Sequence, residues 1–424
     1  MKRGWLIIGL GLLYAVLALL TPFPVWDEMG YLANARSHYS QSFFTEDFRF
    51  PLLEYLIAGW WLITGESVFA ARFFIILCSL ATTVLIYWWV QRRYPQLAFS
   101  IAAAFAMNTL VLQWSIVAYA ELPAVLAITA AFVLLSEKPQ WAIGAGILSG
   151  LSAFLRYPLL LFAIAAIVTF AWNRKWKILI VYLGGLCVSI LPWFLFWKLR
   201  YQDIFWGWHR YSDIMALWTP EQAISVQVFN AILVFLFLLP FLILALFRAW
   251  RKTFPFQLLG LYVTVSLFYY LFIVGFKPSR YFLVFLPHAL FLIADVLHRL
   301  QKPRFVLTVI MLTALCSAVL GLGAVVHRMY CDADHPIVAA VQFLATHTVP
   351  GDKVQSNVWP YFGYFNNLRA IPLKPGESID LDTRYILWEN SIGTTYPRER
   401  LSLQNLVAQF SGQCGQELLI LTPE

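Results

Sequence analysis

A carboxylate, a phenol and an amide follow one another at helical spacing in the segment 24–34. Asp27, Tyr31 and Asn34 are spaced i, i+4 and i+7, which places them on one face of a helix. A suitably placed carboxylate can act as a general base that takes the proton from a hydroxyl group. We therefore predict Asp27 as a catalytic base, Glu28 as the residue that orients it or binds substrate, and Tyr31 as a substrate contact. The competing interpretation is structural, because Asp is a good helix cap and Glu suits a first helical turn.

A second acidic residue, Glu121, lies at the junction of two apolar stretches, directly before Leu122-Pro123. An ionisable side chain at such a junction is costly unless it is paired or hydrated, and this is typical of a functional site. We predict that Glu121 binds substrate. An acid at the start of a helix, beside a proline in its first turn, would give the same pattern.

Four cations are predicted to hold an anionic group near these acids: Arg49, Arg156, Lys277 and Arg280. Guanidinium matches phosphate with two parallel hydrogen bonds, and preorganised cations stabilise the negative charge that develops on a leaving phosphate. Each could instead be an anchor at a membrane surface.

Two aromatic residues complete the predicted binding set. Tyr281 follows Arg280 directly, and His209 lies in the aromatic and polar segment 206–213. Such a segment could stack on a sugar or contact a lipid head group. An aromatic belt at a membrane boundary has the same composition.

The elements that must position these residues are transmembrane helices. The 424 residues are 61% hydrophobic and 12% charged, whereas soluble domains have roughly 45–50% and 25%. Apolar runs of about 17–25 residues can each cross a hydrocarbon core of roughly 30 Å. We expect eleven crossings, of which the first, 5–20, is not cleaved. The other spans lie near 67–90, 97–115, 122–136, 141–155, 157–172, 178–197, 226–247, 256–275, 281–297 and 305–326.

The net charge of +8 could indicate a nucleic acid partner. The basic residues, however, lie mostly in short connections between apolar runs, which argues against nucleic acid. With the N-terminus in the cytoplasm, fourteen Lys and Arg fall in internal connections and nine in external ones, as the bias of cytoplasmic loops requires. An odd number of crossings in the cell membrane then puts the C-terminus outside.

Two domains are expected. The first, 1–326, is a transmembrane domain with a long external loop at 21–66, and the second, 327–424, is a small extracytoplasmic α/β domain. A helix along the membrane surface is predicted at 56–64. In the terminal domain we predict helices at 336–347 and 400–410, and strands at 353–358, 385–389 and 417–422. Cys331 and Cys414 could pair there if the compartment is oxidising.

Taken together, these motifs resemble the glycosyltransferase C superfamily, in particular its protein O-mannosyltransferase and lipid A aminoarabinose transferase branch. The resemblance is carried by Asp27-Glu28 with Tyr31, by 49–55, by Glu121 before Leu-Pro, by Arg156, and by Arg280-Tyr281 with Pro287. It implies a polytopic helical membrane protein with an external α/β tail. It also implies an inverting, single-displacement transfer of a sugar from a polyprenyl-phosphate donor, with Asp27 as base and Arg or Lys on the phosphate. The acceptor, whether lipid, glycan or protein, and a divalent metal stay open.

Two other classes of protein fit the composition. A secondary transporter also has many spans and charges within the membrane, but it predicts paired, broken helices at mid-membrane depth. Here the charges gather at one predicted surface, on the side of the long loop. A catalytically silent assembly protein would tolerate the loss of Asp27.

Overall fold

The computed structural model describes residues 4–423 except 22, 41, 45, 47–49, 211, 213–222, 275–277, 301, 374–378, 391–400 and 402–404. The chain forms two compact units. The helical unit comprises Met1–Ala15, Ile75–Trp206 and Pro220–Ala324, and the mixed unit comprises Val16–Phe74, Gly207–Thr219 and Val325–Glu424. The predicted fold class, a polytopic helical protein with a small C-terminal α/β region, is confirmed.

The α-helices follow one another along most of the chain. In order they are α1 (Gly4–Leu20), α2 (Trp26–Tyr39), α3 (Leu52–Thr64), α4 (Val68–Arg93), α5 (Ala98–Ala106), α6 (Thr109–Trp114), α7 (Glu121–Glu137), α8 (Ala142–Leu155), α9 (Leu160–Trp172), α10 (Trp176–Tyr201), α11 (Ile224–Phe235), α12 (Leu239–Ala249), α13 (Phe254–Phe268), α14 (Leu286–Arg299), α15 (Pro303–Asp332), α16 (Pro336–His347) and α17 (Trp359–Phe365). A π-helical turn, Tyr269–Ile273, extends α13, and a 3-10 segment, Ser279–Phe285, precedes α14.

Among the described residues, six helical stretches are long and apolar enough to cross a membrane. They are Val68–Arg93, Trp176–Tyr201, Ile224–Ala249, Phe254–Ile273, Ser279–Arg299 and the stretch that begins at Pro303. Shorter apolar helices occupy Ile7–Leu20, Leu52–Thr64 and Tyr157–Trp172. These elements correspond to most of the expected spans, and the total of eleven crossings stays a prediction.

The expected span 97–115 is not one helix, so that prediction is wrong. α5 ends at Ala106, and Asn108 then takes an extended backbone whose side-chain oxygen accepts from the Leu110 N–H at 3.0 Å. This is an N-cap, and it starts the short helix α6. Asn108 also donates from Nδ2 to the carbonyl of Val234 at 2.9 Å. The chain stays non-helical after Ser115 until α7 begins.

Helices α8 and α10 approach closely because glycines face the opposite backbone. A Cβ at Gly146 would overlap the carbonyl of Tyr182, and a Cβ at Gly185 would overlap that of Ile143. Small residues at such contacts are typical of packed transmembrane helices. This packing fixes α8, which ends directly before Arg156.

The terminal region contains a five-stranded sheet in the order β2-β1-β3-β5-β4. Its strands are β1 (Lys353–Ser356), β2 (Arg369–Pro372), β3 (Tyr385–Glu389), β4 (Leu406–Ser411) and β5 (Glu417–Leu421). β1 is parallel to β2 and β3, whereas β5 is antiparallel to β3 and β4. One cluster of its core consists of Leu373, Ile386, Trp388, Leu401, Leu419 and Leu421.

The predicted helix 336–347 and the strands near 353, 385 and 417 are confirmed. The predicted helix 400–410 is wrong, because Leu406–Ser411 is an edge strand paired with β5. Its helix-compatible sequence is overridden by cross-strand pairing, which is the context that decides strand formation. The elements α17 and β2 were not predicted.

Candidate active site

Helix α2 carries the predicted acidic pair in its first turn. Asp27 and Glu28 lie where free N–H groups and the helix dipole favour negative charge, and the Val25 N–H donates to Glu28 Oε2 at 3.1 Å. Tyr31 and Asn34 follow on the same helix and are buried. The predicted helical face is therefore formed, with Asp27 half-buried at its start.

Glu28 is fully buried, and so is its partner, Arg72 of α4. Arg72 donates from Nε to Oε1 of Glu28 at 2.8 Å and from Nη2 to Oε2 at 2.9 Å. The guanidinium also donates to the backbone carbonyls of Ala18, Thr21 and Phe23. The pair thus ties the first turn of α2 to the end of α1. This burial favours an orienting role for Glu28 over contact with substrate.

Asn34, the third residue of the predicted face, is held by the loop around it. Its Oδ1 accepts from the Glu46 N–H at 2.9 Å, and its Nδ2 donates to the Glu46 carbonyl at 2.9 Å and to Glu54 Oε1 at 2.8 Å. Both ends of the amide are occupied. Asn34 therefore joins α2 to α3 and fixes the long loop, rather than extending the acidic surface.

Residues of α17 contact the segment just before the acidic pair. The Tyr361 hydroxyl donates to the carbonyl of Pro24 at 2.9 Å, and Trp359 meets Trp26 edge to face with ring centroids 5.3 Å apart. Burial, and then the nearby carboxylate of Glu28, raise the pKa of Tyr361 well above its usual range. The phenol therefore stays protonated and able to donate. Sequence reasoning missed this contact because α17 itself was not predicted.

In the helical unit, Glu121 begins α7 and receives two guanidinium groups. Its Oε1 pairs with Nη2 of Arg156 and with Nε of Arg280, the latter at 3.2 Å. Glu121 is buried, whereas the side chains of both arginines are 14% exposed. Three residues that were predicted separately from sequence therefore form one cluster. Guanidinium groups brought together in this way are donors of the kind that bind an anion such as phosphate.

Aromatic rings hold both guanidinium groups of this cluster. Arg280 Cζ lies 4.9 Å from the ring centroid of Tyr119 and 5.4 Å from that of Trp114, and Arg156 Cζ lies 5.6 Å from that of Tyr281. Such cation–π contacts are attractive and fix the orientation of the cation. Trp114 and Tyr119 were not predicted. The available signal was their position at the helix break directly before Glu121.

Part of the chain resembles a known protein family. Residues 49–197 match the sequence profile of the dolichyl-phosphate-mannose-protein mannosyltransferase family. No curated protein sequence matches the chain significantly.

Among solved structures, ArnT from Cupriavidus metallidurans shares the fold over 100% of both chains. Its apo form has a TM-score of 0.71 at 11% identity, and its form bound to undecaprenyl phosphate has 0.70 at 12%. Arabinofuranosyltransferase AftD from Mycobacteria has a TM-score of 0.53 at 14% identity, over 100% of this chain and 40% of its own.

The match over residues 49–197 and the shared fold agree with the predicted resemblance to the glycosyltransferase C superfamily. The predicted glycosyltransferase activity is supported by the family match over residues 49–197, whereas the transporter and assembly-protein alternatives are not supported. The solved structures are distant in sequence, so their likeness establishes the fold. The match over 49–197 covers the segment that contains Glu121 and Arg156.

Three predicted residues remain, which are Arg49, Lys277 and His209. Arg49 and Lys277 lie outside the described residues. His209 is exposed in a helical turn of the mixed unit, where its neighbour Trp208 contacts Phe50 edge to face at 5.5 Å.

Within the part of the chain that the structure describes, no group of three or more His, Cys, Asp or Glu side chains could hold a metal ion. The divalent metal left open by the sequence therefore gains no support from these residues. Cys331 and Cys414 form a disulfide across 83 residues of sequence. The suggested pairing is thus confirmed, and it joins the end of α15 to the turn between β4 and β5.

Proposed function

We propose that this protein is a membrane glycosyltransferase that moves a sugar from a polyprenyl-phosphate donor to a hydroxyl group of an acceptor lipid, glycan or protein at the outer face of the membrane. The observation that carries the proposal is the Glu121 cluster, in which two partly exposed guanidinium groups share one buried carboxylate. Such a site combines two guanidinium groups with the start of a helix. A lipid-linked phosphate is the anion that a membrane enzyme of this superfamily would bring to it.

The donor phosphate would bind Arg156 and Arg280. A guanidinium carries five N–H donors in a planar fork whose geometry matches the oxygens of a phosphate. Lys277 and Arg49 are proposed to add positive charge, as the sequence suggests. One of the ArnT structures holds undecaprenyl phosphate, so a polyprenyl-phosphate ligand is compatible with this fold.

The transfer proceeds as one displacement. Asp27 takes the proton from the acceptor hydroxyl as the acceptor oxygen attacks the anomeric carbon of the sugar. The bond between that carbon and the phosphate oxygen breaks on the opposite side, and its electron pair leaves with the polyprenyl phosphate. The configuration at the anomeric carbon is therefore inverted. Guanidinium groups on the phosphate stabilise the charge that it gains in the transition state.

The surroundings of Asp27 suit a base. Asp27 is half-buried and stands beside Glu28, which Arg72 holds in place with two hydrogen bonds. Because this turn is fixed, the Asp27 side chain can point in fewer directions. A base that is held in position accelerates a reaction more than a mobile base does. Tyr31, Tyr281, His209 and Glu121 are proposed to contact the substrates. No step in the proposal requires a metal ion.

Placement of the reaction outside the cytoplasm is supported by two independent observations. Disulfides persist in oxidising compartments, and Cys331 is bonded to Cys414. The Lys and Arg bias of the predicted connections favours an N-terminus inside and a terminal domain outside.

The experiment is a transfer assay with the full-length protein in liposomes. Radiolabelled polyprenyl-phosphate sugars and the matching nucleotide sugars are offered as donors, with acceptor lipid present. Label should move to the acceptor from a lipid-linked donor only, with release of polyprenyl phosphate. Mass spectrometry of lipids that copurify with the protein then identifies the sugar. Transfer from a nucleotide sugar without any lipid carrier would contradict the proposal.

A further inference from the structure

Two adjoining cavities follow the first turns of α15 in the helical unit. The larger, of about 470 Å³, is lined by apolar side chains that include Met107, Leu307, Met311 and Leu315. The smaller, of about 200 Å³, is lined in part by the polar side chains Gln96, His298 and Lys302. Leu307 lines both cavities. An apolar cavity therefore adjoins a polar one that is lined in part by basic side chains.

These cavities are remote from the Glu121 cluster. Arg280 and His298 lie near opposite ends of the apolar stretch Ser279–Arg299. The two residues are eighteen positions apart, which corresponds to at least about 27 Å along a helix. That is close to the thickness of the hydrocarbon core, roughly 30 Å. The basic end of the cavities thus lies near the membrane boundary opposite to the proposed donor site.

The charges around the polar cavity favour an anion. The side chains of Lys302 and His298 are exposed. The nearby carboxylate of Asp295 is already neutralised by Lys252 and by Arg299 at 3.4 Å, and it accepts from the Tyr94 hydroxyl at 2.7 Å. Asp295 therefore does not oppose an anionic ligand. Clustered cations just outside a transmembrane helix are typical of binding sites for anionic lipid head groups.

From this geometry we infer that the two cavities form a binding site for an anionic glycerophospholipid, with the phosphate at Lys302 and an acyl chain along α15. The length of the apolar part agrees with this ligand. Leu307 and Leu315 are about 12 Å apart along the helix, which fits within the depth of one leaflet, roughly 15 Å or half of the hydrocarbon core. A phospholipid that stays in one leaflet fits this site better than a polyprenyl chain does.

Native mass spectrometry of the full-length, delipidated protein tests the head-group contact. Phosphatidylglycerol and phosphatidylcholine with identical acyl chains are added in turn. The wild type should retain phosphatidylglycerol preferentially, and Lys302→Gln should weaken its binding about fivefold, which corresponds to the loss of one attraction of about 1 kcal/mol. Arg304→Gln is the matched control, because Arg304 is exposed two residues away but does not line either cavity. It should leave the affinity nearly unchanged.

A second pair of variants tests the acyl-chain contact. Leu307→Trp would fill the junction of the two cavities and should reduce phospholipid retention several-fold. Leu320→Trp places the same bulk on an exposed position of the same helix outside the cavities, and it should not. The inference would be overturned if the wild type bound the two phospholipids equally. It would also be overturned if the two variants of either pair had equal effects on binding at unchanged thermal stability. A polyprenyl phosphate that displaces the phospholipid from this site would overturn it as well.

Discussion

Arg72 donates to both carboxylate oxygens of Glu28, at 2.8 and 2.9 Å, although the two residues are 44 positions apart in the chain. Neither side chain reaches solvent. The buried pair therefore fixes the turn that contains Asp27. Its removal should act through the position of Asp27 rather than through a contact with substrate.

Arg72→Gln leaves the Glu28 carboxylate buried without its partner. Removing one member of a buried ion pair typically costs about 3–5 kcal/mol, so the variant should unfold at a clearly lower temperature. Arg92→Gln on the same helix is the control, because Arg92 is 53% exposed in its pair with Glu137 and should change stability by no more than about 1 kcal/mol. Thermal unfolding in detergent measures both. Equal losses in the two variants would exclude a special role for the buried pair.

Arg280→Gln removes one of the two guanidinium groups on Glu121. A charged hydrogen bond to phosphate contributes about 1.5–3 kcal/mol, so the KM for the lipid-linked donor should rise roughly 10- to 100-fold. Arg156→Gln should have a similar effect. Lys198→Gln is the control, because Lys198 donates to the Gln202 carbonyl at an exposed helix end. An unchanged donor KM in both arginine variants would rule out phosphate binding by this cluster.

Tyr361→Phe removes the hydroxyl that donates to the carbonyl of Pro24. An unpaired buried carbonyl costs about 1–3 kcal/mol, and the turn before Asp27 should become less well fixed. We expect a lower kcat with little change in donor KM, since the donor-binding cations are elsewhere in the chain. Tyr330→Phe, at a position that is 61% exposed, should leave both parameters unchanged. Steady-state kinetics measure both parameters. A change in the donor KM alone would contradict the prediction.

The disulfide between Cys331 and Cys414 should contribute substantially to the stability of the terminal region. A bond that closes 83 residues of sequence restricts the unfolded chain by about 4–5 kcal/mol in the chain-entropy model. The double variant Cys331→Ser, Cys414→Ser should therefore be more sensitive to protease and heat. Cys316→Ser, at a free cysteine, is the control. Thiol labelling of intact cells after mild reduction should reach this pair from outside, and labelling from the cytoplasmic side alone would refute the proposed orientation.

Local patterns were sufficient to predict several elements. The spacing of Asp27, Tyr31 and Asn34 predicted helix α2, and apolar runs predicted the long membrane helices and the strands β3 and β5. These features depend on periodicity and burial within one segment. The break at Asn108 was missed because its cap depends on a single side chain within an otherwise apolar run.

The sequence alone did not predict which distant segments pair with one another. Glu121, Arg156 and Arg280 were each predicted as separate candidates, and nothing in their local sequences indicates that they share one carboxylate oxygen. The edge strand β4 was mistaken for a helix because its partner β5, rather than its own composition, determines its conformation.

The role of Asp27 is the central claim, and single-turnover transfer from a radiolabelled polyprenyl-phosphate sugar tests it most directly. Asp27→Asn keeps the size of the side chain but cannot accept the proton, so the rate should fall by about 10²- to 10⁴-fold with donor binding and thermal stability unchanged. Asp382→Asn, at an exposed position of the terminal region, should transfer sugar at the wild-type rate. An Asp27→Asn protein that transfers sugar as fast as the wild type would contradict the account.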